Sequence, residues 1–165
     1  MVQLGLLLED VATALDPEEG LVYLKSPAGM GPMPTETCVA INFEIDIVSA
    51  RQQGRALAAS LGFTGGDLAL IATAISEVAR NIVSYATRGE IALATLDGGG
   101  RRGILVIARD DGPGIPDVKL AMQDGYSTGK SLGLGLPGSK RIMDEFEIAS
   151  EVGKGTTVTM RKWAH

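Results

Sequence analysis

The sequence DLALIATAISEVARNIVSYA, residues 67–86, predicts one helix with two distinct faces. At 100° per residue its aliphatic side chains fall within about 80° of arc and form a core-facing stripe: Leu68, Ile71, Ile75, Val78 and Ile82. Glu77 and Asn81 are i, i+4 neighbours far round the helix from that stripe. The helix therefore presents a carboxylate and an amide one turn apart, either as part of a site or as a solvated surface.

The patterns on both sides of this helix predict an α+β fold. Residues 38–45 alternate as a half-buried strand, and Asp46 is placed to cap a second helix that ends near Leu61. The remaining predicted elements are strands at 89–97 and 103–110, a helix at 136–146, and a hairpin of 147–153 and 156–163. The order β-α-α-β-β-α-β-β predicts a two-layer sandwich, a mainly antiparallel mixed sheet covered by helices on one face.

The first 37 residues differ in character from the rest. They contain six acidic residues and one basic residue, whereas the remainder has 14 of each. Apolar residues at 4, 8, 11 and 15 predict a short amphipathic helix, and residues 26–34 are a Pro/Gly/Met linker. We therefore divide the chain into an extension, 1–37, and a domain, 38–165. The extension is a loose appendage, the product of a start codon placed upstream of Met33, or a helix for docking or dimerisation.

Composition excludes several classes of function. A net charge of −5 and 4 % aromatic residues provide neither the basic surface nor the stacking platform expected of a nucleic-acid-binding protein. One cysteine and one histidine exclude an internal disulfide and a Cys- or His-rich metal site, and they argue against a Ser-His-Asp triad. We find no stretch of about 18 apolar residues and no basic leader, so we expect a cytoplasmic protein without membrane contact.

The loop GYSTGKSLGLGLPG, residues 125–138, contains two apparent nucleotide-binding motifs, and neither has the sequence context that its class requires. A P-loop needs glycine five residues before Gly129, where Asp124 stands, and a dinucleotide fingerprint needs a preceding strand. Glycines directly before a helix still leave backbone N–H groups open to anionic oxygens. The alternative is that they only permit a tight turn.

Two further segments carry chemistry-bearing residues. In RDDGPGIPD, residues 109–117, Asp110 ends an apolar strand, so its carboxylate lies at the rim of the sheet and can accept from the exocyclic amine of adenine. Gly112 and Gly114 would let a flat base lie against the backbone, unless they only form a turn. In GKGTTVTM, residues 153–160, Thr156 begins a strand after a hairpin turn.

The ordered set of E-x-x-x-N, D-x-G-x-G-I, a glycine-rich lid and G-x-G-T resembles the Bergerat-fold (GHKL) ATPases and kinases. The stretches ISEVARNIVSYATRGEI, DDGPGIPD, DGYSTGKSLGLGLPGSKRIMDEFEI and GKGT are most similar to the RsbT-type serine/threonine kinases of bacterial stress-signalling modules. The resemblance runs from about Cys38 to Trp163, and the extension has no counterpart in it.

The resemblance implies a binding site for ATP and Mg²⁺. Asn81 would hold the metal, Glu77 would be the general base, and Asp110 would hold adenine with help from Thr156. Gly112, Gly114 and Ile115 would shape the base pocket. The lid over the phosphates would comprise Ser127, Thr128, Lys130, Gly133, Leu134, Gly135 and Leu136. Lys130 either reaches a phosphate or is solvated.

The resemblance also implies partners. The acceptor would be a Ser or Thr of a STAS-domain antagonist or scaffold protein, and the released kinase would activate a PP2C-type phosphatase. The first alternative is an ATP-gated module that sequesters a sigma factor without kinase turnover. The second is a simple ATPase.

Overall fold

The secondary structure follows the predicted order, with one additional short helix and one additional pair of short strands. A computed structural model describes residues 37–123 and 135–165, together with the backbone of Tyr23–Leu24 and Met33–Pro34. The predicted helix at residues 4–15 lies outside the described residues. The elements are β1 (Tyr23–Leu24), β2 (Met33–Pro34), β3 (Thr37–Ile41), α1 (Glu44–Ser60), α2 (Gly65–Tyr85), β4 (Gly89–Gly98), β5 (Arg101–Asp110), α3 (Val118–Ala121), α4 (Gly135–Ile142), β6 (Glu145–Glu151) and β7 (Gly155–Trp163).

Five strands form the main sheet in the order β3-β4-β5-β7-β6. Every neighbouring pair in it is antiparallel, so the described sheet is antiparallel throughout rather than mixed. A two-residue turn, Gly99–Gly100, joins β4 to β5, and both glycines have positive φ as a tight hairpin of this kind requires. The strands β1 and β2 pair with each other in a separate antiparallel ladder.

The two faces of the sheet have different cores. On one face the buried side chains of β4 and β5, such as Leu93 and Val106, pack in one cluster with those of α1 and α2. The predicted stripe of α2 belongs to this cluster, with Leu68 at its margin, and each fully buried aliphatic side chain stabilises the fold by about 1.5–3 kcal/mol. The other face carries a second cluster, called here the outer-face cluster: Ala92, Ala94, Leu96, Leu105 and Ile107, with Trp163 packed against it. The predicted α+β fold with helices over one face is confirmed.

The boundary between β3 and α1 differs from the prediction. The strand ends at Ile41, and Phe43 and Ile45 are both 70 % exposed rather than alternating into the core. The carboxylate of Asp46 accepts the backbone N–H groups of Asn42 and Phe43, each at 2.9 Å. Asp46 thus caps the helix from inside its first turn, and α1 begins two residues before it.

The helix α4 also ends earlier than predicted, at Ile142 rather than near residue 146. The buried ammonium group of Lys162 donates to the carbonyl oxygen of Ile142 at 2.9 Å, which satisfies a terminal carbonyl of the helix. The Asp144 N–H then bonds the Arg161 carbonyl oxygen at 3.0 Å and leads the chain into β6. The strand β6 consequently starts two residues before the predicted one.

The helix α2 is long and apolar enough to cross a membrane by length and composition alone. The helix carries Glu77 and Arg80, so it is not the uninterrupted apolar stretch that the sequence analysis looked for. Half of the relevant window is buried inside the protein, and its apolar stripe packs against α1 and the sheet. Its apolar character is thus explained by its position as the central core helix.

Candidate functional site

On the polar face of α2, Glu77 is buried rather than solvated, and Asn81 is partly buried. Glu77 is only 5 % exposed, and its Oε1 accepts from Nη1 of Arg80 at 2.7 Å. Arg80 lies one turn further along the same helix and its side chain is 38 % exposed. Arg80 was not among the predicted site residues, although its i, i+3 spacing from Glu77 was the available signal.

The start of α4 meets this carboxylate. The backbone N–H of Gly135 donates to Oε2 of Glu77 at 3.2 Å, across 58 residues of sequence. Leu136, the next residue, is buried in the core beneath α4. The predicted lid residue and the predicted base are therefore in direct contact at the positive end of a helix.

At the end of β5, Asp110 lies at the rim of the sheet as predicted. Its Oδ1 accepts the backbone N–H of Gly112 at 2.9 Å. Burial raises the pKa of the Asp110 carboxyl above its ordinary value, against the opposing effect of backbone hydrogen bonds from Gly112 and Thr156. This half-buried acceptor faces the space between the sheet and α2.

The two glycines after Asp110 are required by close chain contacts. A Cβ at Gly112 would lie 2.7 Å from the Cβ of Ala86, and one at Gly114 would meet the carbonyl oxygen of Glu151. The first contact holds the loop against the end of α2, and the second holds it against the β6–β7 hairpin. These contacts give the loop its fixed path beside Asp110.

A serine that the sequence analysis missed connects this loop to Thr156. The Oγ of Ser150 accepts the N–H of Ile115 at 2.7 Å and lies 2.8 Å from Oγ1 of Thr156. Ser150 and Thr156 are directly opposite in the β6–β7 ladder. The spacing of the hairpin was the signal for this pair, because the position of the turn determines which residues of β6 and β7 lie opposite each other.

These elements enclose one cavity of about 290 Å³, close to the lower end of the range for small-molecule sites. Its walls are mostly apolar. Among the predicted site residues, the cavity is lined by Asn81, Asp110, Gly114, Ile115, Gly135, Leu136 and Thr156. Glu77 and Gly112 do not line it but bond directly to lining residues, Gly135 and Asp110. Ser127, Thr128, Lys130, Gly133 and Leu134 lie outside the described residues.

Residues 44–162 match the family model described as the histidine kinase-like ATPase domain. The chain belongs to this family. The match runs from the first residue of α1 almost to the end of β7, and it contains every predicted site residue.

Within the histidine kinase-like ATPase family, the chain is similar to a serine/threonine-protein kinase, RsbT of Bacillus subtilis (strain 168). The two are 51 % identical over 131 residues, which are 79 % of this chain and 98 % of the relative. It is also 36 % identical over 120 residues to the anti-sigma F factor of Thermoanaerobacter sp. (strain X514), covering 69 % of this chain and 82 % of that protein.

Among solved structures, the mycobacterial sensor histidine kinase MprB is similar at a TM-score of 0.49 and 16 % identity. The likeness covers 77 % of this chain and 96 % of that one.

Proposed function

We propose that this protein is a serine/threonine-protein kinase of a bacterial partner-switching stress-response module. It transfers the γ-phosphoryl group of ATP to a Ser or Thr of a STAS-domain antagonist or scaffold protein. The observation that carries the proposal is the contact of Glu77 with the start of α4, beside a cavity lined by Asn81 and Asp110. The 51 % identity to the kinase RsbT supports the same reaction.

The adenine end of the site is assigned to Asp110 and Thr156. The carboxylate of Asp110 accepts the exocyclic amine of adenine, which is a donor. Thr156, held by Ser150, assists directly or through a water. The apolar walls, among them Val158 and Ile82, exclude water from the faces of the base.

The phosphate end is assigned to α4 and the polar face of α2. The N–H of Gly135 is at the positive end of α4, where an anionic oxygen is stabilised. Asn81 fits a Mg²⁺ ion because its side-chain amide oxygen is a ligand that this ion accepts, and Asn81 lines the same cavity. Within 37–123 and 135–165 no three His, Cys, Asp or Glu side chains are grouped as a metal site, so phosphate oxygens and water would complete the coordination. Bound Mg²⁺ neutralises the charge that develops on the transferred group.

Glu77 is assigned as the general base for the acceptor hydroxyl. Phosphoryl transfer depends on positioning and charge neutralisation, so one base, amide donors and a metal suffice. The pair with Arg80 at 2.7 Å fixes the direction in which the carboxylate points. A positioned base of this kind contributes about 10²–10⁴-fold to the rate.

The proposal includes the partners and the compartment. After phosphorylation of its STAS-domain partner, the kinase is released in the cytoplasm and activates a PP2C-type phosphatase.

A second candidate is an ATP-gated module that sequesters a sigma factor with little kinase turnover. The specific observation in its favour is the 36 % identity to an anti-sigma F factor. The anti-sigma F factor and the kinase RsbT carry different names. Phosphorylation of an acceptor protein therefore distinguishes the two candidate functions.

The test is transfer of radiolabelled γ-phosphate from ATP and Mg²⁺ to a purified STAS-domain protein. The wild-type protein should label the acceptor. Glu77→Gln should retain ATP binding and lose about 10²–10⁴-fold in labelling rate. The matched control is Glu151→Gln, which removes an exposed carboxylate paired with Lys154 and should leave the rate unchanged.

Three results contradict the proposal. Stoichiometric capture of a sigma factor without labelling supports the sequestering module. Phosphate release without any acceptor indicates a simple ATPase. Unchanged labelling in Glu77→Gln removes the base assignment.

A further inference from the structure

Arg80 is bonded to the proposed base from the next turn of α2. Its Nη1 donates to Oε1 of Glu77 at 2.7 Å, while Oε2 of the same carboxylate accepts the N–H of Gly135 at 3.2 Å. A guanidinium has five N–H donors in a planar fork, so one bond to Glu77 leaves donors for a second anion. Arg80 can therefore hold Glu77 and another negatively charged group at the same time.

The phosphate end of the site needs a positive charge. Within 37–123 and 135–165 the residues that line the cavity include the carboxylate of Asp110 and no lysine or arginine. Transfer of a phosphoryl group develops charge on its oxygens, which arginine, lysine or Mg²⁺ ordinarily offsets. Lys140 and Arg141 lie in the last turn of α4, at the opposite end from Gly135. Arg80, by contrast, bonds directly to a residue at the phosphate end.

The distances place Arg80 within reach of the reacting phosphorus. A general base bonds the acceptor hydroxyl at about 2.6–3.2 Å, and the hydroxyl oxygen approaches the phosphorus to about 3–3.5 Å. With Glu77 as the base, the γ-phosphorus lies within about 7 Å of its carboxylate. Arg80 contacts this carboxylate at 2.7 Å, and rotation of its long side chain covers the remaining distance.

Building on the function given above, we propose that Arg80 donates to an oxygen of the γ-phosphoryl group in bound ATP and during its transfer. In the step, the acceptor oxygen forms a bond to the γ-phosphorus while the bond from this phosphorus to the β–γ bridging oxygen breaks. The hydroxyl proton passes to Glu77, and the electron pair of the broken bond leaves on the bridging oxygen of ADP. Arg80 stays protonated and is a catalytic residue that contacts the transferred group.

Arg80 also offsets a repulsion that the site would otherwise contain. A carboxylate and a phosphoryl group carry like charges, and two such charges within about 7 Å disfavour each other. A guanidinium that bonds to both places a positive charge beside each of the two negative ones. Glu77 then remains close to the acceptor hydroxyl while the triphosphate is bound.

The first test compares ATP with ADP, which lacks the γ-phosphoryl group. Arg80→Gln should weaken the binding of ATP and Mg²⁺ by about 10- to 150-fold, the loss of a hydrogen bond to a charged group, and should change ADP affinity less than about twofold. The unchanged ADP affinity also verifies that the variant is folded. The matched control is Arg102→Gln, which removes an exposed arginine at the opposite end of β5 from Asp110 and should alter neither affinity. Equal losses for ATP and ADP, or no loss for either, overturn the proposal.

A second measurement separates this role from that of orienting Glu77. The selective loss of ATP affinity should persist when Arg80→Gln is introduced into Glu77→Gln, because an arginine that acts only on the carboxylate has nothing left to orient there. A loss that disappears in the double variant assigns Arg80 to orientation alone and overturns the proposal. In the labelling assay, Arg80→Gln should lose about 10³–10⁵-fold in the rate of transfer to the acceptor protein.

The results distinguish the contact of Arg80 from the kinase function. Failure of the wild type to label an acceptor protein contradicts the kinase function, and the ratio of ATP to ADP affinity then still decides the contact. Labelling by the wild type, together with an unchanged affinity ratio and rate in Arg80→Gln, supports the kinase function and refutes the contact.

Discussion

Gly155→Ala should damage both the fold and the adenine end of the site. Gly155 has φ +114°, and a Cβ there would overlap the carbonyl group of Asp110 and lie 3.1 Å from the Cα of Asp111. The backbone conformation costs a non-glycine residue about 1–3 kcal/mol, and overpacking against rigid backbone costs about 1–3 kcal/mol more. A total loss of about 2–6 kcal/mol compares with a typical stability of 5–15 kcal/mol.

The matched control is Gly153→Ala in the same turn. Gly153 also has positive φ, +83°, but nothing lies within 4 Å of its added Cβ, so only a backbone cost of about 1–2 kcal/mol applies. Urea unfolding measures both variants. ATP affinity should fall about 10- to 150-fold in Gly155→Ala, as expected when a hydrogen bond to the charged Asp110 is lost, and should be nearly unchanged in Gly153→Ala. Equal losses in the two variants would refute the close approach as the cause.

Three other perturbations test the rest of the site. A double-mutant cycle of Arg80→Gln and Glu77→Gln should give a coupling of about 1 kcal/mol in the free energy of unfolding. The coupling is modest because the Arg80 side chain is 38 % exposed. Additive effects of the two substitutions would show that the pair does not stabilise the fold. Because burial raises the pKa of Asp110, its carboxylate protonates at a higher pH than an ordinary aspartate, and ATP affinity should fall as the pH is lowered through that value. The ratio of the ATP affinity of the wild type to that of Asp110→Asn should become smaller as the pH is lowered. Both proteins bind the same ATP, so the ratio cancels the titration of ATP itself. A ratio that does not change with pH would contradict the adenine contact. Ser150→Ala removes the hydroxyl that joins the β5 loop to the hairpin and should cost about 1–2 kcal/mol in urea unfolding and weaken ATP binding, whereas the exposed Ser84→Ala should do neither.

The sequence predicted the elements of the fold better than their ends. The core face of α2 could be predicted because a helix buried on one side repeats its aliphatic side chains with a period of 3.6 residues. This pattern is contained within the helix's own sequence. The end of β3 was missed because Phe43 and Ile45 continue the alternation, while Asp46 turns the chain into a helix through backbone N–H groups. The end of α4 was missed because its terminal carbonyl is bonded by Lys162, a contact 20 residues away.

The convergence of the site could be predicted only from the ordered set of motifs. No single stretch brings Asn81, Asp110 and Thr156 together. The sheet order places β7 beside β5 and so pairs Asp110 with Thr156, and the packing of α2 on the sheet adds Asn81. Ser150 was not predicted as a site residue because its role depends on the residue opposite it in the neighbouring strand rather than on its own neighbours in sequence. The burial of Glu77 likewise depends on α4 packing over it, which a helical wheel of α2 alone does not contain.

Under the roles proposed for Glu77 and α4, the bond between the Gly135 N–H and Glu77 would link the arrival of substrate to the readiness of the base. One N–H cannot fully serve both a carboxylate and a phosphate oxygen, so an incoming triphosphate competes with Glu77 for it. Before ATP arrives, the carboxylate is engaged and a stray water gains little from it. With these roles, the base would be held in the empty protein and released when the nucleotide binds.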